Sequence, residues 1–338
     1  MRIQKEISLL SYNTFRIAAI AEQYISVLAK EEYAPIKDYL VRNKILPFVL
    51  GGGSNVLLVN HRLPFVLHQK RKGIELVFEN ESELILEIAA GENWHDLVMH
   101  TVANNWHGLE NLSLIPGSVG AAPIQNIGAY GVELCDVFDS LSAFHIPTGS
   151  FHEFDKVDCS FGYRDSIFKQ KVKGEYIIDS VRLRLKKQAD FNLSYGSLKS
   201  TVEENYELIN VQNVSDAICA IRNSKLPDPN VVPNSGSFFK NPIISKHLLE
   251  TIQRMEATVP FYELPDHRYK IPAAWLIENC GWKSSRKGDA GVYENHALIL
   301  VNHGNATGQE IYDLSQQIIN SVKEKYNIDL NREVNIIS

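Results

Sequence analysis

Arg222, Lys225 and Lys240 lie close to Ser237 in sequence, and cations placed near polar N–H donors are what a diphosphate ligand needs. An ordinary helix end is the plainer reading, because a lysine there complements the helix dipole. Arg164 in FGYRDSIF, Ser237 in NSGSFFKNP and Glu333 in EVNII stand out as polar groups among apolar or small residues. Each also has a bland alternative: an arginine paired with Asp165, a loop serine in a turn, a solvated strand terminus. Tyr195 in LSYGSL reads as a strand tyrosine or as a ligand contact. Residues 116–131 run PGSVGAAPIQNIGAYG, and seven of these sixteen are Gly or Ala, without the spaced large apolar residues of a core helix. Such a stretch bares its backbone N–H groups to a flat or phosphate-bearing ligand. Gln125 and Asn126 set amide donors and acceptors in its middle. A tightly packed internal loop has the same composition.

The elements that must position these groups follow from local pattern. ILPFVL, then Gly51-Gly52-Gly53-Ser54-Asn55, then VLLV reads as strand, glycine turn, strand. A dinucleotide turn of the Rossmann type has a helix after its glycines, so this one is of another kind; its N–H groups would form an anion nest. YISVLA at 24–29 reads as a strand and residues 31–43 as a helix. Ile74 to Ala90 alternates and turns at Glu79-Asn80-Glu81, as a hairpin does. Residues 94–106 have helical spacing. SLSAFHI, EYIIDSVRLRL and FNLSY read as strands. A helix over 215–225 stops at Leu226-Pro227-Asp228-Pro229. Further helices are expected over 245–255 and 272–280, then a strand ALILVN. Thr307-Gly308-Gln309-Glu310 is a capping-box signature, followed by a helix with Ile311, Leu314, Ile318, Ile319 and Val322 on one face. A strand over 333–337 closes the chain. This β-rich centre with helices before and after it predicts an α+β protein rather than one doubly wound sheet.

The totals narrow the function. A chain of 338 residues exceeds one small core, and 44% hydrophobic with 22% charged residues is an ordinary globular composition. Net charge is −6 and no dense Lys/Arg block occurs, which argues against nucleic acid as partner. The four cysteines, at 135, 159, 219 and 280, form no CxxC pair and read as reduced structural thiols. The eleven histidines give no H-x-x-x-H or H-E-x-x-H pattern, so no metal site is expected. G-x-S-x-G is missing too, which leaves a hydrolase of that type unsupported. No signal-peptide segment or membrane span is legible, and the expected location is the cytoplasm.

Taken together, NTFRI, GGGSN, PGSVGAAPIQNIGAYGVEL, YRDSIF, SKLPDP, GSFFKNP and the terminal EV-containing strand resemble one family: the UDP-N-acetylenolpyruvoylglucosamine reductases, flavin enzymes of bacterial peptidoglycan precursor synthesis. The pieces stand in the family's order across nearly the whole chain, and PIQNIGAYG and GSFFKNP are the specific ones. YGSL around Tyr195 resembles the tyrosine loop of the type I subfamily. The resemblance implies an FAD-binding fold of the vanillyl-alcohol-oxidase type in two subdomains, residues 1–72 with 327–338 and residues 73–212. A substrate-binding α+β domain would span 213–326.

The resemblance also implies the chemistry. NADPH reduces FAD, hydride passes to the enolpyruvyl methylene carbon of the UDP-sugar, and a proton reaches the adjacent carbon to give UDP-N-acetylmuramate. Negative charge builds on the substrate carboxylate, where fixed donors lower the barrier. Arg164 would supply a permanent forked cation there, Glu333 a protonated carboxyl group, and Ser237 the proton. The expected FAD contacts are Gly51, Gly52, Gly53, Ser54, Asn55, Pro116, Gly117, Ser118, Gly120, Ala121, Gln125, Asn126, Gly128 and Ala129. FAD should be noncovalent, because GGGSN holds no tethering histidine. Tyr195, Lys225 and Asn241 match positions that hold the diphosphate, and His296, where subtypes differ, is taken as a substrate contact. A monomer acting on a UDP-sugar is expected, without nucleic acid or membrane. Two other readings remain at this level: a different flavin dehydrogenase or oxidase of the same fold, and a noncatalytic flavin- or nucleotide-binding module.

Overall fold

Alternating apolar residues and well-placed stop signals account for most elements in the computed structural model, which describes residues 2–338. The chain forms two units. The first runs to Ile7 and includes Ala21–Gly52 and Leu63–Ser224; the second comprises Ser8–Ile20, Gly53–Arg62 and Lys225–Ser338.

The first unit contains two larger sheets, besides a short antiparallel ladder of Gly128–Ala129 with Val132–Glu133. In the smaller of the two, Val66–Gln69 pairs in parallel with both Ile20–Val27 and Phe48–Leu50. The connecting helix Tyr33–Asn43 buries Tyr33, Ile36 and Leu40 along one face and ends on Lys44 in the left-handed conformation. These side chains join Ile25, Val27, Phe65, Leu67 and Phe144 in one core. The larger sheet is antiparallel, ordered Ser150–Asp155, Phe138–His145, Tyr176–Lys186, Glu83–Ala89, Ile74–Glu79. The hairpin read from residues 74–90 is thus present. Asp179 is the buried charge of the central strand, held by Arg71 Nε at 2.8 Å and by the Tyr33 hydroxyl at 3.0 Å. The helix Trp94–Ala103 is capped by Asn93, whose side chain accepts from the Asp96 N–H at 3.1 Å.

Two expectations need correction here. FNLSY forms no strand; Phe191 and Leu193 instead pack on a small helical cluster of Leu198, Val202, Val214, Ala217 and Ile218. The helix expected from 215 begins at Val211, because Val211 and Val214 are buried with it.

In the second unit, the antiparallel sheet Asn234–Ser237, Ile299–Asn302, Ala290–Val292, Arg286–Lys287 lies with the helix Gly308–Tyr326. The capping box is formed: Thr307 Oγ1 accepts from the Glu310 N–H at 3.2 Å, and the Glu310 carboxylate accepts from the Thr307 N–H at 2.7 Å. Ile311, Leu314, Ile318 and Val322 are buried, and Ile319 is half-buried. The terminal strand is Asn335–Ile337, two residues later than expected, and pairs in parallel with Val56–Leu58. Among the described residues, no helix is long and apolar enough to cross a membrane, and no cluster of three His, Cys, Asp or Glu side chains is arranged to hold a metal ion.

Candidate functional site

In the first unit, Phe48–Leu50 runs into Gly51-Gly52, and these glycines lie directly against the start of the small-residue stretch. A Cβ on Gly51 would fall 2.4 Å from Ser118 Oγ, and one on Gly52 2.8 Å from Gly117 Cα. Only bare backbone permits that approach. The stretch is pinned from behind: the Val119 N–H donates to the Glu92 carbonyl, the Gly120 N–H to the Ala90 carbonyl, and the Trp94 N–H to the Gly117 carbonyl. A Cβ on Gly120 would lie 2.4 Å from Ala90 Cβ. Gly51, Gly52, Gly117 and Ser118 line a cleft of about 350 Å³, together with His68, Gln69, Lys70, Lys72 and Gly91–Asn93. Ser118 Oγ is buried there without a hydrogen-bond partner among the described residues.

His68, which sequence reasoning passed over, is tied to this turn. Its Nδ1 lies 2.6 Å from the buried Tyr24 hydroxyl. Burial, and then the nearby Lys70, push its pKa from the usual 6.5 down to about 4, against the opposing contact with the Gly51 backbone. It is a neutral imidazole at physiological pH. The sequence signal was its position directly after the apolar run Phe65-Val66-Leu67.

Farther along, Asn126 adopts a left-handed backbone and engages its whole amide inside the protein. Its Nδ2 donates to Glu133 Oε2 at 2.8 Å and to the Gly162 carbonyl at 3.2 Å, and its Oδ1 accepts from the Cys135 N–H at 3.0 Å. Gln125 is half-buried in the adjoining 3-10 turn. Arg164 reaches back to this region. It donates to the Gly128 carbonyl and sits 3.5 Å from Glu133 Oε1. A Cβ on Gly128 would collide with the guanidinium at 2.9 Å. Asp165 accepts from the Ser166 N–H and Gln170 Nε2.

Tyr195 lies at the end of the same stretch, its ring edge-on to Tyr130 at 5.9 Å. Asn111 fixes the two segments by donating to the carbonyls of Tyr130 and Asn192, each at 2.8 Å. Burial raises the Tyr130 phenol, with Arg222 opposing. Arg222 is therefore no ordinary exposed helix end: its Nε is buried without a hydrogen-bond partner among the described residues, and burial holds the group below the usual arginine range.

The second unit holds the other sequence candidates. Gly53 has φ +64° and packs so tightly that a Cβ would fall 2.0 Å from the Tyr12 carbonyl oxygen. Asn55 accepts at its carbonyl from the Asn335 N–H and donates from Nδ2 to the Glu333 carbonyl at 3.5 Å. Ser54 precedes it in the same turn. Ser237 ends its strand after Gly236, whose φ of +71° admits the turn and whose N–H donates to Asn234 Oδ1 at 2.8 Å. Phe238 and Phe239 then anchor the chain in the core. The Glu333 N–H donates to the Phe238 carbonyl at 2.8 Å, and Phe239 faces Arg332 across an antiparallel bridge. The structure thus places the serine and glutamate segments side by side, whereas Arg164 belongs to the other unit.

Asn241 Oδ1 accepts from the Ala273 N–H at 2.8 Å, at the start of the helix Ala273–Asn279. Lys225 is exposed at its helix end. His296 is half-buried; burial lowers its pKa first, then the charges of Lys225 and Lys283, with Glu278 opposing. Asn241, Lys225 and His296 all belong to the second unit.

Residues 22–155 match the family model for an FAD binding domain, and residues 228–337 match that for the C-terminal domain of UDP-N-acetylenolpyruvoylglucosamine reductase. The chain is 48% identical to the UDP-N-acetylenolpyruvoylglucosamine reductase of Flavobacterium johnsoniae and 44% identical to that of Amoebophilus asiaticus, over 100% of each chain. The crystal structure of the corresponding reductase from Thermus caldophilus superposes with a TM-score of 0.71 at 24% identity, covering 100% of both chains, and is a likeness of fold.

Proposed function

We propose residue roles from one premise: the chain belongs to the UDP-N-acetylenolpyruvoylglucosamine reductase family. It is an FAD-dependent oxidoreductase of peptidoglycan precursor synthesis that uses NADPH to reduce the enolpyruvyl group of its UDP-sugar to the lactyl ether of UDP-N-acetylmuramate.

The cleft of the first unit fits FAD on its own chemistry. Its floor is backbone that no Cβ could occupy, and the buried Ser118 hydroxyl lacks a partner that a phosphate oxygen would supply. Gly51, Gly52, Pro116, Gly117, Ser118, Gly120 and Ala121 would hold the dinucleotide, with Gly53, Ser54, Asn55, Gln125, Asn126, Gly128 and Ala129 as further contacts. When bound, FAD supplies the hydride chemistry between NADPH and the enolpyruvyl double bond.

The chain's own groups do the rest. Arg164 binds the substrate carboxylate through its permanent charge, where negative charge accumulates as the double bond is reduced. Glu333, protonated, donates a hydrogen bond to the same carboxylate. Ser237 holds on its Oγ the proton that goes to the carbon next to the one receiving hydride. Tyr195, Lys225 and Asn241 bind the diphosphate, and His296 contacts the substrate beside Lys225. The three-part division into residues 1–72 with 327–338, 73–212 and 213–326 is the functional one we adopt. Two observations support it: the change of sheet between Gln69 and Ile74, and the pairing of the terminal strand with Val56–Leu58. We further take the protein to be a cytoplasmic monomer without a nucleic-acid partner; the last of these is supported by its net charge of −6 and lack of a basic block.

The single observation that supports the catalytic roles best is the 2.8 Å bond from the Glu333 N–H to the carbonyl of the residue after Ser237. The test is Ser237→Ala. It should bind FAD and be reduced by NADPH normally, yet turn over the sugar nucleotide about 10²-fold more slowly or worse. Turnover near wild type would remove Ser237 from its role.

A further inference from the structure

We infer that Arg332 is a positioning residue for Glu333, fastening the backbone that carries the carboxyl group to the helix Gly308–Tyr326. The inference rests on the role proposed above for Glu333.

Arg332 makes three contacts on one face of that helix. Its Nε donates to Ser315 Oγ at 2.8 Å, its Nη2 donates to Gln316 Oε1 at 2.9 Å, and its guanidinium lies 4.4 Å from the centre of the Tyr312 ring. Residues 312, 315 and 316 share a face by helical spacing, so a planar fork meets all three at once. Ser315 is fully buried, and its own hydroxyl donates to the Tyr312 carbonyl at 2.6 Å, which leaves its lone pairs for the arginine. Among the described residues no carboxylate pairs with Arg332. Burial lowers its pKa from the usual arginine value, with Tyr312 opposing. A half-buried cation held only by neutral groups and a ring is a costly way to decorate a surface. It is understandable if the arginine is there to fix a neighbour.

That neighbour is the acid. Arg332 sits opposite Phe239, and the bridge is closed on either side by the Glu333 N–H to the Phe238 carbonyl at 2.8 Å and the Lys240 N–H to the Asn331 carbonyl at 2.9 Å. Successive side chains of an extended segment point to opposite sides, so turning Arg332 onto the helix turns Glu333 away from it. The helix itself is closely seated at its start. A Cβ on Gly308 would fall 1.8 Å from the Leu58 carbonyl oxygen, so it rests on the strand that pairs with Asn335–Ile337. Backbone bonds to the serine strand fix one edge of the Glu333 segment, and Arg332 fixes the other.

The experiment compares holoenzymes carrying Arg332→Met, Arg332→Lys, Glu333→Gln and the Arg332→Met/Glu333→Gln pair by rapid mixing. Flavin bleaching by NADPH is timed separately from reoxidation by the enolpyruvyl sugar nucleotide. We expect Arg332→Met to slow reoxidation by about tenfold to 10²-fold, the scale of a misplaced catalytic group, with bleaching unchanged. Arg332→Lys should fall in between, because an ammonium cannot reproduce the fork. The double variant should be no slower than Glu333→Gln alone. Wild-type reoxidation in Arg332→Met overturns the inference, and so do losses that multiply in the double variant. Wild-type reoxidation in Glu333→Gln would instead overturn the role of Glu333 itself. If Arg332→Met fails to retain flavin, Arg332→Lys is combined with Glu333→Gln: a masked loss supports the inference and a multiplied one overturns it.

Discussion

The glycine-lined cleft of the first unit and the Ser237–Glu333 ladder of the second solve different problems with different materials. The cleft is shaped by what is missing: side chains that would collide at 2.4 Å and 2.8 Å with Ser118 and Gly117. The ladder is shaped by register, with a serine and an acid from distant sequence set beside each other by ordinary backbone hydrogen bonds. In the roles proposed for them, the cleft would bind a large flat dinucleotide, which needs close backbone approach, and the ladder would move one proton, which needs one atom in one place. The two regions should therefore fail differently.

The sharpest contrast is between Gly52→Val and Ser237→Ala. A side chain at 52 would strike the Gly117 backbone, which cannot rotate aside, so we expect colourless protein and no NADPH oxidation. Ser237→Ala should stay yellow while losing about 10²-fold or more in turnover. An absorption spectrum and a rate on each variant decide the matter. A yellow Gly52→Val, or a colourless Ser237→Ala, would break the distinction.

A smaller effect concerns pH. His68 has a native pKa of about 4 against the usual 6.5, so the unfolded chain takes up its proton first. Stability linked to this imidazole is complete above pH 6.5 and is lost as pH falls toward 4, by about 3 kcal/mol in all. Urea unfolding at pH 7, 5.5 and 4 should show a shallower acid loss in His68→Gln than in wild type. Equal slopes would mean that His68 is not the group responsible.

The smallest effect sharpens the comparison from inside the cleft. Ser118→Ala removes a buried hydroxyl without a partner, so the flavin-free protein should gain about 1 kcal/mol of stability. FAD affinity should fall at the same time. Melting of the flavin-free protein together with an FAD titration tests both, and a variant with tighter FAD binding would contradict the assignment.

Much of this architecture was legible in advance because the deciding signals were local. Gly51 to Asn55 between two apolar runs, the turn at residues 79–81 and the Thr307–Glu310 box each state a backbone conformation within a few residues. FNLSY misled because its apolar residues serve a helical cluster, and a short run does not reveal which partner will bury it. The terminal strand starts at Asn335 rather than Glu333 because the Glu333 N–H is committed to Phe238. The motifs PIQNIGAYG and GSFFKNP pointed to the family. They did not show that Asn126 uses its amide to hold its own loop, or that the Nε of Arg222 is buried. His68 and Arg332 were invisible for the same reason: their meaning lies in contacts that the fold makes across long stretches of chain.

The bareness of Gly51 and Gly52 also bears on drug resistance. Pathogens usually evade an inhibitor by exchanging a side chain it touches for one of another size or charge. A compound that hydrogen-bonded only to the main chain of these two glycines would offer nothing to exchange, since any replacement would meet Ser118 or Gly117 first. The route to escape would be closed by the same geometry that we propose seats the dinucleotide.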